Sequence, residues 1–319
     1  MERKVYFYSG PGLKLTGFLS VPPDYEEGAG KRPGVVLCQG PGGYKNPEVV
    51  ARDTLMPAVS QWLNRAGFVA LRFSYRGVGE SEGPDYRLIP LEQVEDIGNA
   101  ITFIQQQEEA DTNRIGLFGA ATGGANVSYV AGIDPRVKCM VSVSGMGDLG
   151  RWARSTRRYW EWLEWLQVLD KDRVDRVLTG KSRIVELTEI IPPDPAAKRE
   201  AAKMAAISSE LKVTSAMLLS LESAEAISNY RPETVVDRIS PRAAMWICAG
   251  NDALVPIDES RSMYQQAKEP KKLVILEGVE HHALYHAPAF EQVMTHATEW
   301  FDTYLKAREV PPYSESELS

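Results

Sequence analysis

The sequence predicts an α/β fold, a mostly parallel eight-stranded sheet with helices on both faces and a helical cap inserted after the sixth strand. Three observations carry that prediction. Apolar strand candidates alternate with helix-length stretches, the pattern of repeated βα units. Glycine-rich turns follow directly on the ends of several of those strands. One stretch, from about 146 to 236, is too long to be a plain crossover between strands.

Strands are expected near 3–9 and 14–21, joined by Ser9-Gly-Pro-Gly12, a turn signal that suits an antiparallel hairpin at the sheet edge. A third strand near 33–39 runs into a glycine-rich loop, and a helix near 53–66 leads to a fourth strand near 68–73. Next come a helix near 91–108, a fifth strand near 114–118, a helix near 122–132 and a sixth strand near 137–144. After the insertion follow a seventh strand near 243–249, a helix near 257–268, an eighth strand near 272–276 and a closing helix near 287–307. Residues 1–145 and 237–308 then form one core and 146–236 the cap, while 309–319 is a polar, proline-broken tail that adds little to the core.

Within the cap, Trp152, Tyr159, Trp162, Leu163, Leu166 and Leu169 gather on one face of a single first helix, and packing onto the core is the commoner fate of such a stripe. Trp160 and Trp165 lie off that face and are candidates for lining a pocket or a subunit contact. Beyond Pro192-Pro-Asp-Pro195, two more helical stretches are expected, Lys198 to Ile207 and about Leu211 to Ser228. Arg151, Arg154, Arg157 and Arg158 cluster at the cap's start and could draw an anion; a solvated face paired with Glu161 and Glu164 explains them better.

The junction after the fifth strand reads Gly119-Ala-Ala121-Thr-Gly123-Gly124. A strand that turns at once into a helix holds its apex residue at positive φ, and only small neighbours fit such a turn. This is the frame of a nucleophile elbow, with Ala121 where the frame carries serine. Drift alone would favour glycine at that φ. Three readings of Ala121 stay open: a Ser-to-Ala change made to trap substrate, a natural pseudoenzyme, and an accidental match, weighted in that order.

Partners for such a nucleophile follow in sequence. The strand ending at Ala249 runs into Gly250-Asn-Asp252-Ala-Leu-Val-Pro256, which sets Asp252 just past a strand end as the candidate acid. The strand ending at Leu276 runs into Glu277-Gly-Val-Glu-His281-His282-Ala-Leu-Tyr285, with His281 the candidate base. Asp252 could instead be a turn former, with Asp148 the alternative acid, and His282 or His286 could replace His281. The chain order nucleophile, acid, histidine differs from the orders of the chymotrypsin-like and subtilisin-like proteases.

Together the elbow, Gly-x-Asp-x-x-x-Pro and Gly-x-x-His-x-x-x-Tyr resemble the α/β-hydrolase superfamily, in its esterase, dienelactone-hydrolase and serine-aminopeptidase-like part. Val35-Val-Leu-Cys-Gln-Gly-Pro-Gly-Gly-Tyr44 and Leu71-Arg-Phe-Ser-Tyr-Arg-Gly-Val-Gly-Glu-Ser-Glu-Gly83 agree; the second is similar to the family's Asp-x-Arg-Gly-x-Gly-x-Ser turn, with Ser74 in place of the aspartate. The resemblance covers about 10–145 and 230–308. Its register favours His281, three past Gly278 and four before Tyr285. It implies a serine hydrolase that cleaves a carboxylic ester or lactone of a medium-sized apolar molecule through an acyl-enzyme, nearly inert here because Ala121 replaces the nucleophile. An amide or a carbon–carbon bond would use the same triad, and a ligand-binding pseudoenzyme is the alternative class. One oxyanion donor would be the backbone N–H of Thr122. The usual second position is Pro41, which has no N–H, so Gly42, Gly43 or the hydroxyl of Tyr44 must serve; a tyrosine donates from this loop in the cocaine-esterase-like branch. Tyr285 joins Trp160 and Trp165 as a candidate substrate contact.

Net charge is −7 with 44% hydrophobic residues over 319 positions, enough for a large core and unsuited to nucleic acid or anionic membrane surfaces. No stretch has the apolar core of a signal peptide or the length of a membrane span, so a cytoplasmic chain is expected. Cys38, Cys139 and Cys248 each fall in an apolar strand candidate without metal-ligand spacing; neither a metal nor another cofactor is implied, and Gly40-Pro-Gly-Gly43 lacks the endings of a phosphate loop. A small-molecule substrate is the expected partner, and the tryptophan-rich cap leaves room for a homodimer.

Overall fold

The computed structural model describes residues 1–10, 12–28, 30–40, 54–195, 198–199, 202, 205–206 and 217–306. Its first six strands are β1 (Glu2–Ser9), β2 (Leu13–Ser20), β3 (Arg32–Cys38), β4 (Val69–Phe73), β5 (Ala110–Ala120) and β6 (Val137–Val143). Two short strands of the cap, β7 (Ile184–Glu186) and β8 (Leu218–Ser220), precede β9 (Ala243–Ala249) and β10 (Lys271–Leu276). The main sheet has eight strands in the order β1-β2-β4-β3-β5-β6-β9-β10. Pairings β1/β2 and β2/β4 are antiparallel and all others parallel. At the hairpin between β1 and β2, Gly12 takes φ +87° and its N–H donates to the Ser9 carbonyl at 2.8 Å, a turn that a side chain would strain.

Helices α1 (Leu55–Arg65), α2 (Pro90–Gln105) and α3 (Thr122–Ile133) alternate with these strands. The central strands are apolar throughout because both faces are covered. In β3, Val36 and Cys38 face the cluster that holds Ile97 and Ile101 of α2, together with Trp246 of β9. Val35 and Leu37 point the other way, to Leu63 of α1 and to Phe301. Each such side chain contributes on the order of 1.5–3 kcal/mol by burial. The three cysteines lie buried in this core, and desolvation pushes the Cys248 thiol up to about 11, so they behave as small apolar groups.

The insertion at 146–236, expected as a helical cap, departs from expectation in three ways. Its first helix is two helices, α4 (Leu149–Ser155) and α5 (Tyr159–Thr179), parted where Arg158 turns extended at ψ 157° and its N–H donates to Glu161 Oε2 at 2.7 Å. The break resets the angular register. Trp165 and Leu169 face inward with Trp162 half-buried, whereas Tyr159, Leu163 and Leu166 of the expected inner stripe are exposed. Second, the stretch after α6 (Leu187–Ile190) ends as strand β8 followed by α7 (Leu221–Ser228); β7 and β8 pair antiparallel over three residues each, too short for a period-two signal. Of the stretch 198–207 the described residues, 198–199, 202 and 205–206, are helical as expected, and the start of the third stretch lies outside the described residues.

Third, the arginines do not pair with Glu161 and Glu164 as a solvated face. Arg151 binds Glu233 and Glu259 at 2.9 and 2.8 Å. Arg157 donates to the carbonyls of Glu189 and Ile190 and lies 4.5 Å over the Trp165 ring. Core helices α8 (Ile257–Gln266) and α9 (Ala289–Phe301) are the last among the described residues, and α9 runs on as one π-helical turn, Asp302–Lys306. Among the described residues no helix is long and apolar enough to cross a membrane, and no cluster of histidine, cysteine and carboxylate could hold a metal. Residues 309–319, the expected tail, lie outside them.

Candidate active site

Strand β5 ends at Ala120 and α3 begins at Thr122, leaving Ala121 alone between them at φ 51°, ψ −119°. The expected turn is present, and its glycines are required by contact. A Cβ on Gly119 would meet the Gly123 carbonyl oxygen at 2.2 Å, and one on Gly123 would lie 2.1 Å from the Cys38 oxygen. Both contacts are with backbone, which cannot swing aside as the end of a flexible side chain would. Ala121 is tied on both sides, its N–H donating to Val143 O at 2.9 Å and its carbonyl accepting from Ala125 N at 3.1 Å. An ideal Cβ on Gly40, the residue two past β3, would stand 3.8 Å from the Ala121 methyl, so this loop comes directly against the apex. Thr122 opens the helix, where a backbone N–H has no intrahelical acceptor, and its buried side-chain hydroxyl has no partner either.

Asp252 lies just beyond β9 with its side chain fully buried. One oxygen, Oδ1, accepts from Leu254 N at 3.0 Å and Val255 N at 2.7 Å, which holds the carboxylate in its turn. The other, Oδ2, faces His281 Nδ1 at 2.7 Å. With Nδ1 donating to the carboxylate, Nε2 is left as an acceptor, the tautomer following from the partners. The Tyr285 hydroxyl stands 3.4 Å from that Nε2; burial first, and the Asp252 charge second, push the phenol well above its ordinary range, so it stays protonated at neutral pH.

Asp148, the alternative acid, is committed elsewhere. It caps α4 by accepting from Gly150 N and Arg151 N at 2.8 and 2.9 Å and lies 3.3 Å from Arg231. His282 stacks edge-on against His281 at 5.1 Å, while His286 ends the short turn Glu280–His286. Of the other expected site residues, Trp160 is exposed on α5 and Trp165 is packed into the core beneath Arg157, so Trp165 seats the cap instead of lining an open pocket. Gly42, Gly43 and Tyr44 lie outside the described residues.

Two residues escaped the sequence reading. Ser144, at the end of β6, sits buried at φ 44° and donates its hydroxyl to Asp252 Oδ2 at 3.1 Å, on the same oxygen that meets the imidazole. Nothing in Val141-Ser-Val-Ser-Gly announces it, because positive φ at a serine has no local signature. Glu259 of α8 is 3% exposed and accepts from Gly147 N and Asp148 N at 3.0 Å each as well as from Arg151, tying the start of the cap to the core. A separate cleft of about 720 Å³ opens beside the starts of β3 and β5, lined by Lys31, Arg32, Arg65 and Arg114 among others, and includes none of Ala121, Asp252 and His281.

A buried carboxylate, an imidazole oriented by it and a strained apex at a helix N-terminus form the frame shared by α/β-hydrolases. The sequence pattern of the X-Pro dipeptidyl-peptidase (S15 family) matches residues 12–283. The chain belongs to this family. Its fold is that of an α/β hydrolase: the solved structure of the α/β hydrolase GrgF from Penicillium sp. sh18 superposes with a TM-score of 0.76 at 22% identity, covering 96% of this chain and 99% of that one. In sequence the chain is similar to the Escherichia coli "uncharacterized 31.7 kDa protein in traX-finO intergenic region", 30% identical over 280 residues, covering 88% of this chain and 93% of that protein. It is also similar to the polyketide transferase grgF of Penicillium, 24% identical over 278 residues with 87% and 88% covered. The thiohydrolase aneE of Aspergillus aculeatus is 24% identical over 323 residues, with 92% of each chain covered. These relatives support hydrolase-type chemistry on this fold.

Proposed function

We propose that the site is a serine-hydrolase triad with its nucleophile position, Ala121, emptied of its oxygen, and that with serine there the enzyme cleaves a carboxylic ester, thioester or lactone of a medium-sized apolar molecule. The observation that carries this reading is the 2.7 Å contact of His281 Nδ1 with the buried Asp252, in a chain whose elbow apex keeps a φ of 51°. A receptor has no use for an oriented base. The relatives named thiohydrolase and polyketide transferase favour acyl chains as substrates.

In the serine form, the Oγ–carbonyl carbon bond forms while the hydroxyl proton passes to His281 Nε2. Asp252 stabilises the resulting imidazolium, and the N–H of Thr122 is one donor to the oxyanion. His281 then hands its proton to the leaving alkoxide or thiolate, and a water deprotonated by the same imidazole releases the acid. With alanine no acyl-enzyme forms, and turnover falls on the order of a million-fold, while binding survives the loss of a single atom.

The test is hydrolysis of p-nitrophenyl esters and of a short acyl thioester by this chain, by Ala121→Ser and by Ala121→Ser/His281→Ala. Turnover confined to the first variant establishes the triad; silence of Ala121→Ser on every substrate sinks it. The family's peptidase description favours a second reading, an amide substrate, and an X-Pro p-nitroanilide in the same panel decides between them.

A further inference from the structure

Helix α5 leaves an apolar stripe bare. Tyr159, Trp160, Leu163, Val174, Val177 and Leu178 are 43 to 81% exposed, on the side of the helix opposite Trp165, Leu169 and Asp172, which face the rest of the cap. Scattered apolar residues on a surface need no explanation, but six on one face of a single helix form a patch.

The stripe has an internal symmetry. Tyr159 and Val177 are 18 residues apart, and so are Trp160 and Leu178, a separation of about five turns that returns each pair to the same angular position. Leu163 and Val174 are 11 apart, about three turns, and again share a position. All three pairs are centred within one residue of the junction between Val168 and Leu169. A twofold axis beside the helix at that level, perpendicular to it and tangent to the outer face, therefore lays a second copy antiparallel so that Tyr159 meets Val177, Trp160 meets Leu178 and Leu163 meets Val174, twice over.

The charges obey the same axis. In an antiparallel helix pair, residues on the same flank face one another across the seam. Glu164 and Lys171 are seven apart on one flank, about two turns, and share this centre. Among the described residues neither has an ion-pair partner within the chain, so each is left to pair with its opposite in the second copy. Near the axis Gln167 and Asp170 bring polar side chains to the middle of the seam, between its two apolar ends. Mixed charge along the face, in a chain of net −7, suits self-association and not an anionic membrane.

We propose that this outer face of α5 is a homodimer interface, two cap helices packed antiparallel about a twofold axis near residues 168 and 169. Doubled by symmetry, the six side chains supply area on the order of the ~1,000 Å² total that a specific interface needs. The proposal is independent of the chemistry at Ala121.

Sedimentation velocity on the full chain, with light scattering over a concentration series, provides the test. The chain is expected to dimerise, and Leu163→Asp to make it monomeric with an unchanged circular dichroism spectrum. Glu164→Lys and Lys171→Glu, each at an exposed site, should weaken the dimer by about tenfold, and the double swap should restore it, because only a self-complementary seam rescues itself. Three results overturn the proposal: a monomer up to roughly 100 µM, a dimer indifferent to all of these substitutions, or a monomer that co-sediments with phosphatidylglycerol vesicles through this face.

Discussion

The elbow, built of small residues, is pinned by backbone contacts, whereas the apolar side chains on the outer face of α5 are bare. At the elbow, Gly119 and Gly123 have backbone oxygens within 2.2 Å of where a methyl would go, and Ala121 is hydrogen-bonded through both its N–H and its carbonyl. On α5 nothing within the described chain covers Val177 or Leu178. The inner side of the insertion packs on the core through Trp152, Trp165 and Leu169, with Arg151 tied to Glu259 and Glu233, and Arg173 and Arg176 binding Glu225 within it. The elbow is thus fixed by backbone contacts that admit no side chain, whereas the insertion is held on one side only and leaves the other open. Substitutions should sort the same way, large in the core and small in the cap.

The largest effect is expected at the acid. In an Ala121→Ser background, Asp252→Asn keeps the shape but allows the wrong imidazole tautomer, and kcat should fall by about 10⁴-fold in ester hydrolysis. A fall of less than tenfold would mean that the 2.7 Å contact is structural.

Next comes the turn itself. Gly123→Ala sets a methyl 2.1 Å from the Cys38 carbonyl oxygen with no flexible neighbour to yield, so denaturant unfolding should show a loss of about 4 kcal/mol or more. Ordinary stability in that variant would show the elbow to be looser than its contacts imply.

Ser144 lies between core and site. Ser144→Ala in the Ala121→Ser background removes one hydrogen bond from Asp252 Oδ2, and kcat should drop about five- to tenfold with KM unchanged, the size of a single such bond. The Nδ1–H resonance of His281, read by proton NMR in the alanine chain, should move as well, which a purely structural serine would not cause.

The smallest effect belongs to the cap. Burial alone would raise the Glu233 carboxyl, but hydrogen bonds from Arg151 and Ser262 hold it below the ordinary glutamate range. A depressed acid contributes stability at neutral pH and loses it as pH falls through its folded value, so the contribution should fade below about pH 4.3. With Arg151 partly exposed it amounts to under ~1 kcal/mol. Thermal unfolding of Glu233→Gln should match the parent at pH 3 and fall slightly below it at pH 7; equal melting at both values would remove Arg151–Glu233 from the cap's ties.

Legibility in the sequence follows the same division. The turn at Ala121 and the loops that bring Asp252 to His281 were readable because each admits few residue types within a short window, and they recur in order. The central strands β3, β4, β5, β6 and β9 were readable because both faces of the parallel part of the sheet demand apolar runs. Trp165 was misassigned because its face depends on where α4 ends and α5 begins, and that break is made by Arg158 and Glu161, whose local pattern is ordinary.

By itself the sequence determined the order of the elements, the strained apex and the turns that carry Asp252 and His281, since steric rules at a tight turn act between near neighbours. Only the tertiary structure decided that Ser144 reaches Asp252 across 108 residues, that Glu259 anchors the cap, and which side of α5 is covered. Those outcomes depend on which distant segment arrives to fill a hydrogen bond or a surface, and no local rule carries that information.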